Sequence, residues 1–282
     1  WDPIPQELKK RIAEKGYFGA MIPKEYGGMG LGITGSCIIA EALGPAYGEF
    51  VATAFGGTHQ IVRHGTKEQK ERWLPRIASG KISGAIALTE PFVGSDAAGV
   101  ETFAVREGDE YVINGKKRFV SNLGYADIYM VYVKTSNKSE DIAGYGHMTG
   151  LIVEKGTPGF TVEKVNTLCT FDPPALNGYL NFDNVRVPVA NRIGEENEAF
   201  LGVMVGGLNF ERLMICALTL GLMRTSLKYA VYVTERRIQF GKRTIDFESN
   251  QYRIADMITN LKLARLMTYY SAYLADLGEE PI

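Results

Sequence analysis

One carboxylate interrupts a long apolar segment in the last third of the chain. Glu211 and Arg212 lie side by side in residues 208–213 (LNFERL), inside an otherwise apolar run. Burying a carboxylate without a partner is unfavourable, and apolar surroundings raise its pKa toward the working range of a general base. The pattern predicts either a catalytic base or a packing role in which Glu211 pairs with an arginine from another helix.

A second segment combines hydroxyl groups with a sharp turn. In residues 88–96 (LTEPFVGSD) a strand pattern runs into a Pro turn, and Gly94, Ser95 and Asp96 then expose backbone amides and a hydroxyl together. Such a loop can donate hydrogen bonds to a polar ring edge and to a phosphate. The alternative is a β-turn without a ligand.

A third segment, residues 114–122 (NGKKRFVSN), carries an aromatic ring and a hydroxyl at a spacing of two. Asn114-Gly115 is a strong signal for a tight hairpin turn, so the residues after it are predicted to form a hairpin arm. On a strand, residues two apart share a face. The sequence therefore predicts that Phe119 and Ser121 lie on one face of that arm.

Residues 30–35 (GLGITG) fit the pattern GxGxxG of dinucleotide-binding proteins. That motif requires a hydrophobic strand before it and an alternating strand and helix series after it. Neither pattern is present, so we interpret these residues as a flexible turn.

The composition is that of an ordinary globular chain and excludes several classes of protein. Among 282 residues, 31 Lys and Arg balance 32 Asp and Glu without a block of like charge, which argues against a nucleic-acid surface. The longest nearly unbroken apolar stretch, 213–223, is shorter than the roughly 18 residues that a membrane span needs. No membrane span is predicted.

The cysteines and histidines favour neither disulfides nor metal chemistry. The three cysteines are far apart without a CxxC pair, and the three histidines form no HExxH motif. This usage fits thiols in a reducing compartment. The chain starts at Trp1 rather than Met, which leaves a removed leader open.

Hydrophobic periodicity divides the chain into three predicted domains. Residues 1–81 have helical spacing and a capping-box sequence at 66–69 (TKEQ), which predict three or four packed helices. Residues 82–193 change to short β-type runs between turn residues, which predict a barrel or sandwich. Residues 194–282 return to helical periodicity. The predicted fold is therefore α+β and multidomain, with helical domains on both sides of a β-domain.

The last predicted domain has surplus apolar surface. Its two long apolar segments, which run to about residue 239 and from 250 to 277, cannot cover each other's faces completely. The sequence therefore predicts an incomplete helical bundle that further helices would close.

Six motifs, in order, resemble the flavin-dependent acyl-CoA dehydrogenases. They are EYGG (25–28), GTKEQKERWLP (65–75), ALTEPFVGSD (87–96), NGKKRFVSN (114–122), FDNVRVP (182–188) and RIQFGK (237–242). The resemblance extends over the whole chain. It implies an N-terminal helical domain, a central β-barrel and a C-terminal helical bundle, usually assembled into a tetramer.

The resemblance also implies the reaction. A base removes the α-proton of an acyl-CoA thioester while the β-hydrogen leaves as a hydride to FAD, giving the 2,3-enoyl-CoA. Electrons then pass to an electron-transferring flavoprotein. The implied compartment is the cytoplasm, or the mitochondrial matrix in a eukaryote.

Residues of the loop and the hairpin arm are implied to bind FAD. The Leu88 amide and the Thr89 hydroxyl correspond to groups at the flavin pyrimidine ring, and Gly94 and Ser95 lie near the cofactor phosphate. Phe119 takes the position of an aromatic, often Trp, that packs against the flavin. Ser121 takes the position of a hydroxyl residue, usually Thr, near the reactive nitrogen of the flavin.

The last of the six motifs, RIQFGK (237–242), is implied to act between subunits. Arg237, in an Arg-x-x-Phe-Gly pattern with Phe240, corresponds to a side chain that reaches the flavin pyrophosphate of a neighbouring subunit. The planar fork of a guanidinium suits that contact. Glu248 stands where many members have a Gln near the adenine.

The resemblance places the base at one of two positions. Most members have this Glu near the C-terminus, beyond Ile282, whereas isovaleryl-type and some long-chain enzymes have it at the position of Glu211. For the substrate, Asn209 matches a polar residue at the pantetheine arm, and Ser95 and Arg212 are assigned to the CoA portion.

Three alternatives remain open. The first is an acyl-CoA oxidase or reductase on the same scaffold, and the second is a non-catalytic member that forms the structural subunit of a hetero-oligomer. The third is that the 282 residues are a fragment whose missing helices include other parts of the active site. Residues 46–61 contain no Lys or Arg, where glutaryl-type enzymes carry an arginine, so a dicarboxylyl substrate is disfavoured.

Overall fold

The computed structural model describes residues 6–45, 56–123, 125–167 and 176–279. The chain divides into two compact units, which are described separately. Unit 1 comprises Trp1–Gly30 and Ala52–Leu208, and unit 2 comprises Leu31–Val51 and Asn209–Ile282. The three domains inferred from the sequence pattern stay a prediction.

The helices come mainly in two groups along the chain, before and after the strands of the sheet, and one short helix lies between two of those strands. In the described residues they are α1 (Gln6–Glu14), α2 (Gly32–Leu43), α3 (Thr58–His64), α4 (Lys67–Ala78), α5 (Ser139–Ala143), α6 (Val205–Arg236) and α7 (Glu248–Asp276). The predicted order of helical, β and helical regions is confirmed.

Helix α4 shows how local sequence and packing agree in unit 1. The predicted capping box is present, because the Thr66 amide donates to the Gln69 side chain (2.8 Å) and the Gln69 amide donates to the Thr66 hydroxyl (3.3 Å). The Gln69 side-chain amide then donates to the carbonyls of Ala190 and Arg192, both at 2.7 Å. One side chain therefore caps α4 and fastens it to the end of the β-domain.

The β-domain of unit 1 is one sheet with mixed strand directions. Its strands are β1 (Gly84–Ala87), β2 (Phe103–Glu107), β3 (Glu110–Ser121), β4 (Ile128–Lys134), β5 (Met148–Glu154), β6 (Phe160–Thr167), β7 (Leu176–Pro188) and β8 (Arg192–Ile193). They pair in the order β6-β7-β3-β2-β4-β5-β8, and β1 pairs in parallel with β4.

The described strands of the sheet enclose an apolar core. Buried residues such as Tyr111, Tyr129, Leu151 and Val185, from β3, β4, β5 and β7, belong to one cluster. Strands β5 and β7 are not neighbours in the pairing order, yet they contact each other. The sheet therefore curls around its core, as expected for the predicted β-domain.

Unit 2 is helical, with a short hairpin of β9 (Ile238–Gln239) and β10 (Lys242–Arg243) between α6 and α7. Within this unit, Glu41 of α2 is buried. Its carboxylate accepts hydrogen bonds from Tyr269 (2.8 Å) and Arg265 of α7, and Arg224 of α6 lies 3.5 Å away. This cluster joins the three helices.

Much apolar surface of unit 2 is exposed, as the sequence predicts. The exposed side chains on α7 include Leu263, Leu266, Met267, Tyr270 and Tyr273.

The interpretation of residues 30–35 as a flexible turn is wrong. Residues 32–35 form the first turn of α2. The amides of Ile33 and Thr34 find an acceptor in the carboxylate of Asp276, from the end of α7. A helix start capped from a distant segment leaves no local capping signal in the sequence.

The predicted hairpin turn at Asn114-Gly115 is also wrong. These residues lie inside β3, and the turn between β2 and β3 follows Glu107, which pairs with Glu110. Gly115 has a φ of +145° and marks a shift in the pairing with β7. A β-carbon there would lie 2.6 Å from the Thr102 hydroxyl oxygen, so this glycine permits a close approach and a bulge.

One helical segment, Phe200–Arg236, is long and apolar enough to span a membrane by length and composition alone, and 39% of its most apolar window is buried. Core helices share these properties, so the absence of a span stays a prediction. Most of residues 46–61, on which the argument against dicarboxylyl substrates depends, and Cys169 lie outside the described residues.

Candidate active site

Residues 88–96 leave the sheet at the end of β1 in a tight turn. The Glu90 amide donates to the Val93 carbonyl (2.9 Å), and the Val93 amide donates to the Glu90 carbonyl (3.3 Å). Pro91 and Phe92 form the tip, and proline presets the backbone angle that such a turn needs. The predicted Pro turn is present.

The hydroxyl residues of this loop are available to a ligand. Thr89 is half-buried and Ser95 is exposed, and neither hydroxyl forms a hydrogen bond within the described part of the chain. A β-carbon built on Gly94 would meet no atom within 4 Å. The loop therefore offers donors beside open space.

The hairpin arm presents its aromatic residue through a bulge. Phe119 has a φ of +58°, and the pairing of β3 with β7 shifts between Arg118 and Val120. The ring of Phe119 is 51% exposed whereas Val120 is buried, and Ser121 is exposed. Strict alternation from Tyr111 would direct Phe119 to the core, so the bulge is what turns its ring outward.

The charged neighbour of Phe119 lies over its ring. The guanidinium carbon of Arg118 is 4.7 Å from the ring centroid of Phe119, and Tyr179 contacts the same ring edge to face at 6.2 Å. The cation–π contact with Arg118 and the edge-to-face contact with Tyr179 stabilise the position of this exposed ring.

The loop and the hairpin arm are joined directly. The Arg118 amide donates to the Thr89 carbonyl at 2.8 Å, and Lys117 Nζ donates to the Leu88 carbonyl at 3.0 Å. The structure therefore brings Leu88 and Thr89 against the strand that carries Phe119 and Ser121, although these segments are some thirty residues apart in sequence.

Two further residues of this region, Glu90 and Lys117, are not among the site residues that the sequence motifs predict. Their side chains are 2% and 0% exposed, and Nζ lies 2.7 Å from Oε1. Burial lowers the pKa of Lys117 to about 8, and the neighbouring Glu90 opposes that shift. The alternation that buries Tyr111 and Ile113 also predicts a buried Lys117, and a buried lysine needs a partner.

These residues of unit 1 fit the FAD that the resemblance implies. An exposed aromatic ring, the hydroxyls of Thr89, Ser95 and Ser121, and the open space at Gly94 match a ligand with a flat ring and phosphates. The described residues contain no group of acidic, histidine or cysteine side chains that could hold a metal ion.

Glu211 lies in unit 2, on α6, and is half-buried. Burial raises the pKa of its carboxyl group to about 7, the direction that its apolar surroundings predict. No arginine pairs with Glu211 in the part of the chain that the structure describes. The alternative in which Glu211 forms an ion pair that fixes packing therefore has no partner residue in the described part of the chain.

Asn209 and Arg212 lie one turn apart on the same helix as Glu211. Arg212 is exposed and donates a hydrogen bond from Nη1 to the Asn209 side-chain oxygen at 2.5 Å. The helix thus presents an amide and a guanidinium together, a pair that suits the polar arm and phosphates of a CoA thioester.

Arg237 and Phe240 lie in or next to the short hairpin of unit 2. Both are exposed, and Phe240, with a φ of +52° at the tip, is 95% exposed. The Arg237 carbonyl accepts a hydrogen bond from the Thr244 amide (2.7 Å), which holds the base of the hairpin. Glu248, the first residue of α7, accepts a hydrogen bond from Tyr252 (2.7 Å).

Comparison with known proteins identifies the family. The sequence matches the acyl-CoA dehydrogenase N-terminal domain over residues 1–81, the middle domain over 85–185 and the C-terminal domain over 201–281. It is 37% identical to acryloyl-CoA reductase (NADH) of Anaerotignum propionicum, covering 98% of this chain and 70% of that protein. It is 36% identical to an acyl-CoA dehydrogenase of Bacillus subtilis, covering 98% and 73%.

Solved structures show the same fold. Butyryl-CoA dehydrogenase from Megasphaera elsdenii superposes with a TM-score of 0.90 at 32% identity, covering 98% of this chain and 73% of that one. An FAD complex of PigA superposes with a TM-score of 0.89 at 28% identity, covering 98% and 72%. FAD is the cofactor that these similarities indicate. The chain belongs to the acyl-CoA dehydrogenase family of flavin-dependent oxidoreductases.

Proposed function

We propose that this protein oxidises the Cα–Cβ bond of an acyl-CoA thioester to the 2,3-enoyl-CoA, with Glu211 as the catalytic base. The observation that supports this most directly is the carboxylate itself. It lies in an apolar stretch of α6 without a charged partner in the described residues, and burial raises its pKa to about 7. A carboxylate with a pKa raised in this way can both accept and hold a proton near neutral pH.

In the proposed reaction Glu211 takes the proton from the α-carbon, and the electrons of that bond form the new double bond as hydride leaves the β-carbon. FAD supplies the hydride acceptor. The Leu88 amide and the Thr89 hydroxyl would orient its pyrimidine ring, Phe119 would pack against the ring system, and Ser121 would lie near the reactive nitrogen.

The CoA portion of the substrate is assigned to three side chains. Asn209 and Arg212, which hydrogen-bond to each other on α6, contact the pantetheine arm and CoA. The exposed hydroxyl of Ser95, next to Gly94, contacts both CoA and the cofactor phosphate.

The proposed assembly is a homotetramer in which Arg237 reaches the FAD pyrophosphate of a neighbouring subunit. Support comes from the exposure of Arg237 and Phe240 on a short hairpin and from the family to which the chain belongs. An electron-transferring flavoprotein is the proposed acceptor of the electrons.

The test is an anaerobic titration of the flavin-loaded protein with a panel of acyl-CoAs, beside the variant Glu211→Gln. We expect the flavin absorbance to bleach in the wild type and to persist in the variant. Equal bleaching in both proteins would contradict the role of Glu211 and move the base to another position. No bleaching with any acyl-CoA would contradict the reaction.

The second candidate is the reverse reaction, reduction of a 2,3-enoyl-CoA. The 37% identity to acryloyl-CoA reductase (NADH) favours it. Enoyl-CoA added to the chemically reduced protein would reoxidise the flavin in either case, but only a reductase would do so in repeated turnovers with its physiological reductant. An oxidase would instead consume oxygen during acyl-CoA turnover.

A further inference from the structure

The ion pair of Lys117 and Glu90 is the most deeply buried pair of opposite charges in the described residues. Both side chains are nearly inaccessible to solvent, and the distance from Nζ to Oε1 is 2.7 Å. Replacing such a pair by apolar residues is often neutral or stabilising. Stability alone is therefore a weak explanation for two charges in the core of the β-domain.

The pair fastens the segment that leads into the Pro turn from two directions. Lys117 Nζ donates to the Leu88 carbonyl at 3.0 Å. The Glu90 carboxylate accepts hydrogen bonds from the amides of Glu101 (2.6 Å) and Thr102 (3.0 Å), which precede β2. Between them, the Thr89 carbonyl accepts the Arg118 amide. Three consecutive residues are thus held by side-chain or backbone bonds to neighbouring strands.

We propose that the Lys117–Glu90 ion pair is a positioning device for bound FAD that also sets the reduction potential of the flavin. By fixing the Leu88 peptide and the Thr89 backbone, it holds the amide and hydroxyl that face the pyrimidine ring. By joining a cation to an anion beneath that segment, it keeps the local charge balanced. The inference rests on the proposed contacts of Leu88 and Thr89 with the flavin.

The two single variants change the charge beside a nearby flavin differently. In Glu90→Gln the fully buried Lys117 loses the carboxylate that opposes the effect of burial, so it releases its proton and the pair stays without net charge. The potential of that variant stays close to that of the wild type. The variant Lys117→Met leaves the carboxylate of Glu90 unbalanced but still bonded to the amides of Glu101 and Thr102, and its negative charge lowers the potential. The double variant removes both charges, so its potential returns toward that of the wild type.

The experiment measures FAD affinity and reduction potential in the full-length protein without any acyl-CoA. Titration of the apoprotein with FAD is expected to give a dissociation constant raised roughly tenfold in each single variant, about the effect of one lost hydrogen bond to the cofactor. Equilibration with redox dyes is expected to show a potential close to wild type for Glu90→Gln and below it for Lys117→Met.

An unchanged or raised potential in Lys117→Met, or a double variant that keeps the shift of Lys117→Met, would overturn the proposal. If Lys117→Met fails to fold, Glu90→Gln decides alone, because an unchanged dissociation constant for FAD contradicts the expected rise of roughly tenfold. Since no substrate is used, a failure of acyl-CoA oxidation leaves this result standing. If Thr89→Val and Leu88→Pro both bind FAD as the wild type does, the flavin contacts themselves are wrong, and the inference fails with them.

Discussion

Asp276, the last residue of α7, accepts a hydrogen bond from the Ile33 amide at the start of α2, at 2.6 Å. Its second carboxylate oxygen accepts the Thr34 amide at 2.9 Å. The first amides of a helix have no partners within that helix, and Leu31 at the N-cap position provides none. The end of one helix therefore caps the beginning of another.

Removing this cap is expected to destabilise unit 2. Asp276→Ala should lower the free energy of unfolding by about 1 kcal/mol, the usual effect of losing an N-cap side chain. An acidic residue in the last turn of its own helix is unfavourable, so without the contact to α2 the substitution would be stabilising. Urea unfolding of Asp276→Ala and of the wild type measures whether the free energy of unfolding falls or rises. Asp256→Ala, an exposed site on the same helix, is the control and should change the stability little.

The Glu41 cluster predicts a loss of stability in acid. Burial alone would raise the pKa of Glu41, but the hydrogen bonds from Arg265 and Tyr269 outweigh it and hold the pKa below 4.5. The unfolded chain then binds a proton more readily than the folded one, so this stabilisation is present above pH 4.5 and is lost as the pH falls through the lowered pKa.

Glu41→Gln should therefore unfold more easily at neutral pH, by about 1–3 kcal/mol, and its stability should fall less steeply in acid. Denaturant midpoints between pH 3 and pH 7 measure both effects. The exposed Glu7→Gln should follow the wild type. A parallel pH dependence in Glu41→Gln and the wild type would contradict the assignment.

Glu211 predicts the opposite pH dependence. Its pKa in the folded protein is about 7, above the ordinary 4.5, so the folded state holds the proton more tightly. Stability is then highest below pH 4.5 and is lost as the pH rises through about 7. Glu211→Gln should remove this loss and be the more stable protein at pH 8.

The same pKa governs the proposed chemistry. Only the ionised carboxylate accepts a proton, so the rate of flavin reduction by an acyl-CoA should increase as the pH rises through about 7. Rapid mixing under anaerobic conditions from pH 5.5 to 8.5 measures it. In Glu211→Gln the rate should fall by roughly 10²- to 10⁴-fold, the usual contribution of a general base. A flat profile in the wild type would count against Glu211.

Two exposed phenylalanines allow a matched test of the flavin face. Phe119 is 51% exposed on the bulged strand and Phe92 is 92% exposed at the tip of the turn. Phe119→Ala should raise the dissociation constant of FAD roughly 3- to 10-fold, the range for one aromatic contact. Phe92→Ala, which carries no assigned contact with the cofactor, should leave it unchanged. Equal changes in the dissociation constant of FAD in the two variants would contradict the assignment of Phe119 to the flavin face.

Gly115 should tolerate a side chain poorly. In Gly115→Ala the new methyl group would lie 2.6 Å from the Thr102 hydroxyl oxygen, and its backbone has a φ of +145°. Gly108 also has a positive φ, +63°, but a β-carbon there meets nothing within 4 Å. We expect Gly108→Ala to cost about 1 kcal/mol of stability from backbone strain and Gly115→Ala to cost about 1–3 kcal/mol more from overpacking. Thermal unfolding of the two variants compares them.

The sequence by itself determined the order of the elements, the family and the segments of the site. Hydrophobic spacing is a local property, because burial of one face repeats every two or about 3.6 residues. The capping box of Thr66 and Gln69, the Pro turn after β1 and the apolar setting of Glu211 are all of this kind. Each involves partners or surroundings within a few residues, so each could be predicted.

Only the tertiary structure decided features that depend on distant segments. The turn signal of Asn114-Gly115 became a bulge because Thr102 and β7 pack against it, and the glycines at 32–35 became helical because Asp276 caps them. The bulge at Phe119 turns its ring outward. Lys117 pairs with Glu90, which lies 27 positions earlier in the sequence. Pairing register and buried charge partners are set by which segments meet, and local sequence preferences carry no information about that choice.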